Sequence, residues 1–99
     1  MAIRDRTGWE VLILLLRTDY CAGLLAIVRN NHRVRGFYSR YSDGRLDLII
    51  AVEDTEDDTT VIPLLDEIAR IRSSGVEVDD WITSSLDVRP ANFRVEYER

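Results

Sequence analysis

Several residue types that carry chemistry are scarce in this chain. Its 99 residues include one cysteine, one histidine, one methionine and two prolines, and arginine supplies all thirteen positive side chains. The single cysteine, Cys21, cannot form an intramolecular disulfide, so the sequence gives no sign of an oxidising compartment. Zinc-ligand spacings, a P-loop and a dinucleotide-binding fingerprint are all missing. We therefore expect no catalytic residues, no metal site and no cofactor.

The sequence also lacks a long hydrophobic run. The apolar run at Val11–Leu16 covers six residues, which is shorter than a signal-peptide core and far shorter than a membrane span. This predicts a cytoplasmic protein with no membrane partner. The net charge is −5, so the chain as a whole repels phosphate backbones and nucleic acid is a disfavoured partner.

The chain does contain enough apolar residues for one core. Apolar residues make up 45% of it and charged residues 31%, a mixture typical of an ordered domain. Its length predicts a single domain over residues 1–99. Because so short a chain buries a smaller fraction of its surface than a large one does, association would add burial, and we expect a homodimer.

Two interpretations of the N-terminal region compete. A capping box allows a single helix over residues 9–31. Alternatively, the apolar run belongs to a central strand at about residues 9–17, and Thr18 or Asp19 caps a new helix. Gly23 inside an unbroken helix would cost about 1 kcal/mol relative to alanine. We therefore favour a strand followed by a helix.

Asp43 and Gly44 predict a β-hairpin, because both positions of a two-residue turn tolerate positive φ. The flanking strands are expected at Val34–Ser42 and Leu46–Glu53. In the second of these, apolar residues alternate along the chain, which indicates that one face is buried.

Three further elements are expected after the hairpin. A helix is predicted at Thr60–Ser73, with Pro63 in its first turn and Gly75 as its stop signal. Its apolar stripe consists of Leu64, Leu65, Ile68 and Ile71. A strand is predicted at Val76–Trp81, and another after Pro90, at an edge of the sheet. In this last strand, one set of alternating residues is Phe93, Val95 and Tyr97.

The resulting element order is β-α-β-β-α-β followed by one more strand. This order predicts an α+β fold, a ferredoxin-like βαββαβ sandwich with an extra C-terminal strand. Both helices would cover one face of the sheet.

The start of the first predicted helix is a candidate binding site. Backbone amides at a helix N-terminus beside a small residue such as Gly23 suit an anionic or carboxylate ligand. The alternative is an ordinary helix start with no ligand, and the residue types alone favour that alternative.

Two short segments resemble a known family. The segment Gly23-Leu-Leu-Ala-Ile-Val28, followed by Arg35-Gly36-Phe37, is similar to the ACT regulatory domain, especially that of acetolactate synthase small subunits. The resemblance implies a domain that dimerises side by side and binds an amino acid near the glycine turn. By that likeness, Asp19 and Gly23 line the ligand site, and we expect Thr18, the other candidate cap of the helix, to belong to it as well.

A basic stretch with interleaved aromatic residues covers residues 29–45. Its arginines are Arg29, Arg33, Arg35, Arg40 and Arg45. Arginine and aromatic side chains on a sheet can neutralise and stack on single-stranded RNA. The segment Arg35-Gly36-Phe37 also matches the first positions of an RNP1 motif. We favour the alternative, a solvated hairpin with aromatic cross-strand pairs.

An acidic run follows the hairpin and consists of Glu53, Asp54, Glu56, Asp57 and Asp58. It lacks the glycine and the distant glutamate of an EF-hand loop, so we interpret it as a solvated helix start. Cys21 and His32 lie near opposite ends of a predicted helix, which disfavours a nucleophile–base pair.

These features favour a small non-catalytic regulatory or interaction domain that responds to an amino acid. It would act on a larger protein partner by shifting that partner's equilibrium. We expect Arg35, Phe37 and Arg40 to contact the partner. One alternative is a free-standing inhibitor or adaptor that uses segregated charged surfaces. A second alternative is an RNA-binding module.

Overall fold

Four strands and two helices make up the described part of the chain. The computed structural model describes residues 20–85 and 91–99. In chain order the elements are α1 at residues 20–29, β1 at Val34–Ser42, β2 at Arg45–Val52, α2 at Asp58–Ser73, β3 at Glu77–Thr83 and β4 at Arg94–Glu98. The strand predicted at residues 9–17, and the choice between it and a longer helix, lie outside the described residues.

The four strands form one mixed sheet in the order β3-β2-β1-β4. β1 pairs antiparallel with β2 and β4, and β2 pairs parallel with β3 after the crossover through α2. The predicted α+β class is confirmed. A split βαβ unit would place another strand between its parallel pair. Since β2 and β3 are direct neighbours, the strand order of the predicted sandwich is not confirmed.

The β1–β2 hairpin forms as the sequence predicts. Asp43 has a φ of 55° and Gly44 a φ of 77°, so both turn residues are in the left-handed region. A two-residue turn of this kind matches the right-handed twist of the strands that it joins. β1 has the predicted bounds, and β2 begins and ends one residue earlier than expected.

α2 begins two residues earlier than predicted because Asp57 caps it. The Asp57 carboxylate accepts hydrogen bonds from the backbone N–H and the hydroxyl of Thr59, at 3.2 and 2.7 Å. Pro63 is therefore the sixth residue of the helix and not part of its first turn, so that prediction is wrong. The predicted stop at Gly75 is confirmed, with a φ of 98° just beyond the last turn.

One hydrophobic core lies between the two helices and one face of the sheet. Its members are Cys21, Leu24 and Val28 of α1, Leu64, Ile68 and Ile71 of α2, and Val34, Phe37, Leu46, Leu48, Ile50, Val52 and Val78 of the sheet. Leu65 was predicted to belong to the α2 stripe, but its side chain is 44% exposed. Since both helices contribute to this one cluster, they cover the same face of the sheet.

Two register shifts change which way side chains point. The pairing of β1 with β2 shifts at Arg35, and the pairing of β1 with β4 skips Glu96. One extra residue in a strand moves the residues after it to the opposite face. Val95 and Tyr97, predicted to share a face, therefore do not. Tyr97 packs against the core, and Val95 lies on the other face, 52% exposed.

Candidate functional site

The sheet has a second face that neither described helix covers, which we call the open face. Trp81, Ile49, Tyr38 and Val95 are paired across the four strands of this face, and we call them the apolar row. Neighbouring strands are about 4.8 Å apart, so the row spans about 14 Å. Ile49 and Tyr38 in the middle are buried, whereas Trp81 at one end is 53% exposed. The row therefore presents its two ends to the surface.

A charged row lies beside the apolar row on the same face. Asp79, Asp47 and Arg40 are paired across β3, β2 and β1. Arg40 donates two hydrogen bonds to Oδ2 of Asp47, at 3.1 Å from Nε and 2.9 Å from Nη2. Arg45 donates from Nε to Oδ1 of Asp47 at 2.8 Å. The guanidinium of Arg40 also lies over the ring of Phe93, with Cζ 4.7 Å from the ring centroid.

The Asp47 carboxylate is held in its charged form by these arginines. Burial raises the pKa of Asp47, but hydrogen bonds from Arg40 and Arg45 outweigh that effect, so the pKa lies below its ordinary value of 3.8. The hydrogen bond with Asp47 in turn raises the pKa of Arg45. A buried carboxylate with two arginine partners is satisfied, so Asp47 orients both guanidinium groups on the open face.

A cleft of about 160 Å³ opens along β2 between the two rows. Trp81 and Asp79 line it from β3, and Arg40 and Phe93 line it from the side of β1. Ile49 of β2 lies between these walls. The cleft thus combines two aromatic side chains with charges of both signs.

The predicted amino-acid site is described only in part. Thr18 and Asp19 lie outside the described residues. Gly23 lies within α1 and faces α2, where an added Cβ would be 2.9 Å from Cδ of Glu67 and 3.4 Å from Nη2 of Arg70. The sequence interpretation did not identify this contact between helices. Ligand binding at Gly23 stays a prediction, and a bulky substitution there would also disturb the packing of α1 on α2.

The three predicted partner-binding residues do not share one surface. Arg35 is exposed at the register shift of β1 and pairs with Glu53. Phe37 is fully buried in the core, so the prediction that its side chain contacts a partner is wrong. The reason is that consecutive strand residues point to opposite faces, and Phe37 takes the core side. Arg40 alone lies on the open face.

The basic stretch and the acidic run neutralise each other in part. Arg33 pairs with Asp57, and Arg35 pairs with Glu53. Arg40 and Arg45 both pair with Asp47, as described above. Four of the five arginines in the basic stretch are therefore engaged with carboxylates. This arrangement argues against the alternative of an adaptor with segregated charged surfaces.

The acidic run serves the start of α2, as predicted. Asp54 accepts a hydrogen bond from the backbone N–H of Glu56 at 2.9 Å, and Asp57 is the helix cap. Within residues 20–85 and 91–99, no three His, Cys, Asp or Glu side chains are grouped so that they could hold a metal ion.

We expect an acid-sensitive contribution to stability from Asp57. Hydrogen bonds from Thr59 and then Arg33 lower the pKa of Asp57 from 3.8 to about 2. A carboxylate with a depressed pKa in the folded state stabilises the fold above its ordinary pKa. That stabilisation is lost as the pH falls from about 4 to about 2. Urea unfolding between neutral pH and pH about 2 measures it, and Asp57→Asn should lose less stability over this interval than the wild type.

The matched control is Asp66→Asn, on the same helix. Asp66 is exposed and makes no hydrogen bond or ion pair among the described residues. This variant should keep the acid-dependent loss of the wild type. If Asp57→Asn keeps it as well, the loss has another origin.

Apart from Arg40, the residues of the open face were missed in the sequence, although a signal for some of them existed. Val78 belongs to the core side of β3, and side chains alternate along a strand. This alternation places Asp79 and Trp81 together on the opposite face. Phe93 had no comparable signal, because it precedes β4 and reaches the face through its contact with Arg40.

Comparison with known proteins adds no relationship. No protein family, no curated protein and no solved structure matches this chain. Neither helix of the described residues is long and apolar enough to cross a membrane.

Proposed function

We propose that this chain is a non-catalytic interaction domain that binds a larger protein partner through the open face. The observation that carries the proposal is the apolar row, with Trp81 and Val95 each more than half exposed at its ends. Tryptophan and arginine are the residues most enriched among those that dominate binding energy at interfaces. On the open face an exposed Trp81 lies close to two arginines whose orientation Asp47 fixes.

The placement of the single thiol and the single imidazole supports a role without catalysis. Cys21 is buried in the core, and His32 is exposed in the turn after α1. Eleven positions separate them along one helix and its turn. A nucleophile and its base must lie within hydrogen-bond reach of each other.

The ion pairs of the basic stretch favour a protein over a nucleic acid as the partner. We expect no RNA or DNA binding tighter than the non-specific range of about 10⁻⁴ to 10⁻⁶ M at physiological salt. Four of the arginines already pair with carboxylates, whose negative charge opposes the approach of a phosphate. Fluorescence anisotropy with single-stranded oligomers measures this affinity. A nanomolar complex with an oligomer that weakens in Arg35→Ala or Arg40→Ala would favour a nucleic acid over a protein as the partner.

The proposal predicts that Trp81→Ala weakens the partner complex by about 30-fold or more, the effect of losing about 2 kcal/mol at an interface hot spot. The tagged full chain at native level captures the partner, which is then identified and purified. Calorimetric titration of this partner with each variant gives the affinities.

Leu65→Ala is the matched control for this measurement. Leu65 is 44% exposed on α2, across the core from the open face. Its substitution should leave the affinity unchanged. Equal affinities of wild type, Trp81→Ala and Leu65→Ala would show that the open face does not bind the partner.

The resemblance to ACT domains adds further parts to this proposal. Four statements stay predictions. They are regulation by an amino acid that binds at Thr18, Asp19 and Gly23, a homodimer, a cytoplasmic location and the ferredoxin-like sandwich. The described sheet ends in β3 and β4, and end strands of a sheet are common sites of pairing between copies. Sedimentation at tens of micromolar protein tests the dimer, and the mass of one chain would exclude it.

A further inference from the structure

We propose that the cleft between Trp81, Asp79 and Phe93 binds an arginine side chain of the protein partner. This inference rests on the proposed function and adds the chemistry that the open face recognises. Three features of the cleft lead to it, namely its size, its charge and its aromatic walls.

The size of the cleft suits one side chain. Its volume is about 160 Å³, whereas sites for cofactors and drug-sized ligands run to roughly 300–1,000 Å³. The cleft is also open to the surface along β2, where a side chain can enter from a partner that lies across the face. This favours a group presented by a protein over a free cofactor.

The charges around the cleft leave a negative excess. The charged residues that line the cleft are Arg40, Arg45, Asp47, Asp79 and Asp80. Asp80 is paired with Arg72, which does not line the cleft, and Glu77 is paired with Arg45 across the two strands. Three arginines therefore face four carboxylates. Both Asp79 and Glu77 act electrostatically on Arg45. Asp47 is fully engaged by the two arginines, but Asp79 is exposed and makes no hydrogen bond or ion pair with any described residue. One further cation would balance the group, and Asp79 is the carboxylate placed to receive it.

An anionic group fits the same place less well than a cation. The donors that Arg40 and Arg45 direct at Asp47 are held there, because the side chain of Asp47 is only 7% exposed and leaving a buried carboxylate without its partners is costly. An anion in the cleft would also lie beside the carboxylates of Asp47 and Asp79, which repel it.

The aromatic walls favour arginine over lysine. Trp81 is 53% exposed and presents its ring at the cleft. A planar guanidinium can stack on an indole and donate to a carboxylate such as Asp79 at the same time. The structure already shows the same kind of stacking in the opposite wall, between Arg40 and the ring of Phe93.

Nuclear magnetic resonance titration of the full chain tests the proposal. The probe is acetyl-Gly-Arg-Gly-amide, and the matched peptide carries citrulline, which keeps the shape of arginine without its charge. We expect the arginine peptide to shift the indole N–H signal of Trp81 and the backbone amide of Asp79. We also expect it to bind about fivefold more tightly than the citrulline peptide. The spectrum of Trp81→Phe assigns the indole signal.

Two variants and one control complete the design. Asp79→Asn and Trp81→Ala should each weaken the arginine peptide about fivefold, and Asp66→Asn should not change it. Amide spectra of the variants report whether each is folded. Equal affinity for the two peptides, or no shift at Trp81 up to tens of millimolar peptide, would overturn the proposal.

These outcomes are distinguishable from a failure of the proposed function. If Trp81→Ala weakens the partner complex but the arginine and citrulline peptides bind alike, the open face is the interface and the arginine proposal is wrong. If the partner binds Trp81→Ala and the wild type equally, the proposed function fails, and the arginine proposal fails with it.

Discussion

Phe37→Ala is expected to remove about 3–5 kcal/mol from the free energy of unfolding. Phe37 is fully buried in the core, where it is paired with Ile50 of β2 and Tyr97 of β4. Removing its ring leaves a cavity at the point where three strands meet the helices. Domains of this kind are stable by roughly 5–15 kcal/mol, so the variant should be partly unfolded in mild denaturant. Urea unfolding monitored by circular dichroism measures the loss.

Arg35→Ala is the matched control, two positions earlier on the same strand. The pair of Arg35 with Glu53 is exposed, and its loss should cost less than about 1 kcal/mol. Similar losses in the two variants would contradict the burial of Phe37. The burial of Phe37 also matters for binding assays. If the Phe37→Ala variant fails to bind a partner, the cause is unfolding and not the loss of a direct contact. Of the three residues predicted to contact the partner, Arg40 is the one whose substitution by alanine tests binding at the open face.

Gly36→Ala is expected to destabilise the chain by about 1–2 kcal/mol, although alanine is ordinarily the better residue within a strand. A Cβ at Gly36 would lie 2.7 Å from the hydroxyl of Tyr38 and 3.0 Å from its ring carbons. The ring of Tyr38 therefore lies over the glycine, and its hydroxyl donates a hydrogen bond to Glu98 at 3.0 Å. A methyl group at position 36 displaces the ring and disturbs that bond.

A double-mutant cycle separates this contact from a general effect on the strand. In a Tyr38→Val background the shorter side chain does not reach Gly36. There, Gly36→Ala should stabilise the chain by about 0.5–1 kcal/mol, because the entropic cost of glycine is removed. The reversal of sign between the two backgrounds is the expected result. A loss of the same size in both would show that the glycine is needed for another reason.

Local signals in the sequence predicted most of the described elements. The Asp43-Gly44 turn and the stop at Gly75 were correct because each depends on backbone φ at a single position. The predicted start of α2 at Thr60 is two residues late, because Asp57 caps the helix. Only the structure shows that the Asp57 side chain accepts the hydrogen bond from Thr59.

The side-chain directions were harder to predict than the strands. A strict alternation from Phe93 would place Val95 and Tyr97 together, and the skipped residue Glu96 separates them. No local pattern marks that skip, because it depends on how β4 meets β1. The strand order was also difficult to predict, because it depends on long-range pairing. The apolar residues of β2 and β3 show that these segments are strands, but not which strands lie beside them.

The candidate site depends on how these strands pair with one another and in which register. Trp81 reaches Ile49 because β3 pairs in parallel with β2, and Val95 joins them because of the shift in β4. The sequence singled out the basic stretch, where arginines are dense, but not the carboxylates that bind them. Only Arg40 belongs to both the predicted and the observed surface.

The pairing of β4 with β1 has a kinetic consequence. Tyr38 and Glu98, which a side-chain hydrogen bond joins across this pairing, are 60 positions apart in the sequence, whereas β1 and β2 are joined by a two-residue turn. Contacts that close long loops form late in folding, and β4 is paired on one side only, because it lies at an edge of the described sheet. β4 should therefore detach in local openings that leave the hairpin and α2 intact, and its amides should exchange hydrogen faster than those of β2. Since Val95 lies on β4 and Phe93 directly precedes it, each opening would dismantle one wall of the cleft and release whatever is bound there. The lifetime of a complex at the open face is then limited by how often β4 detaches.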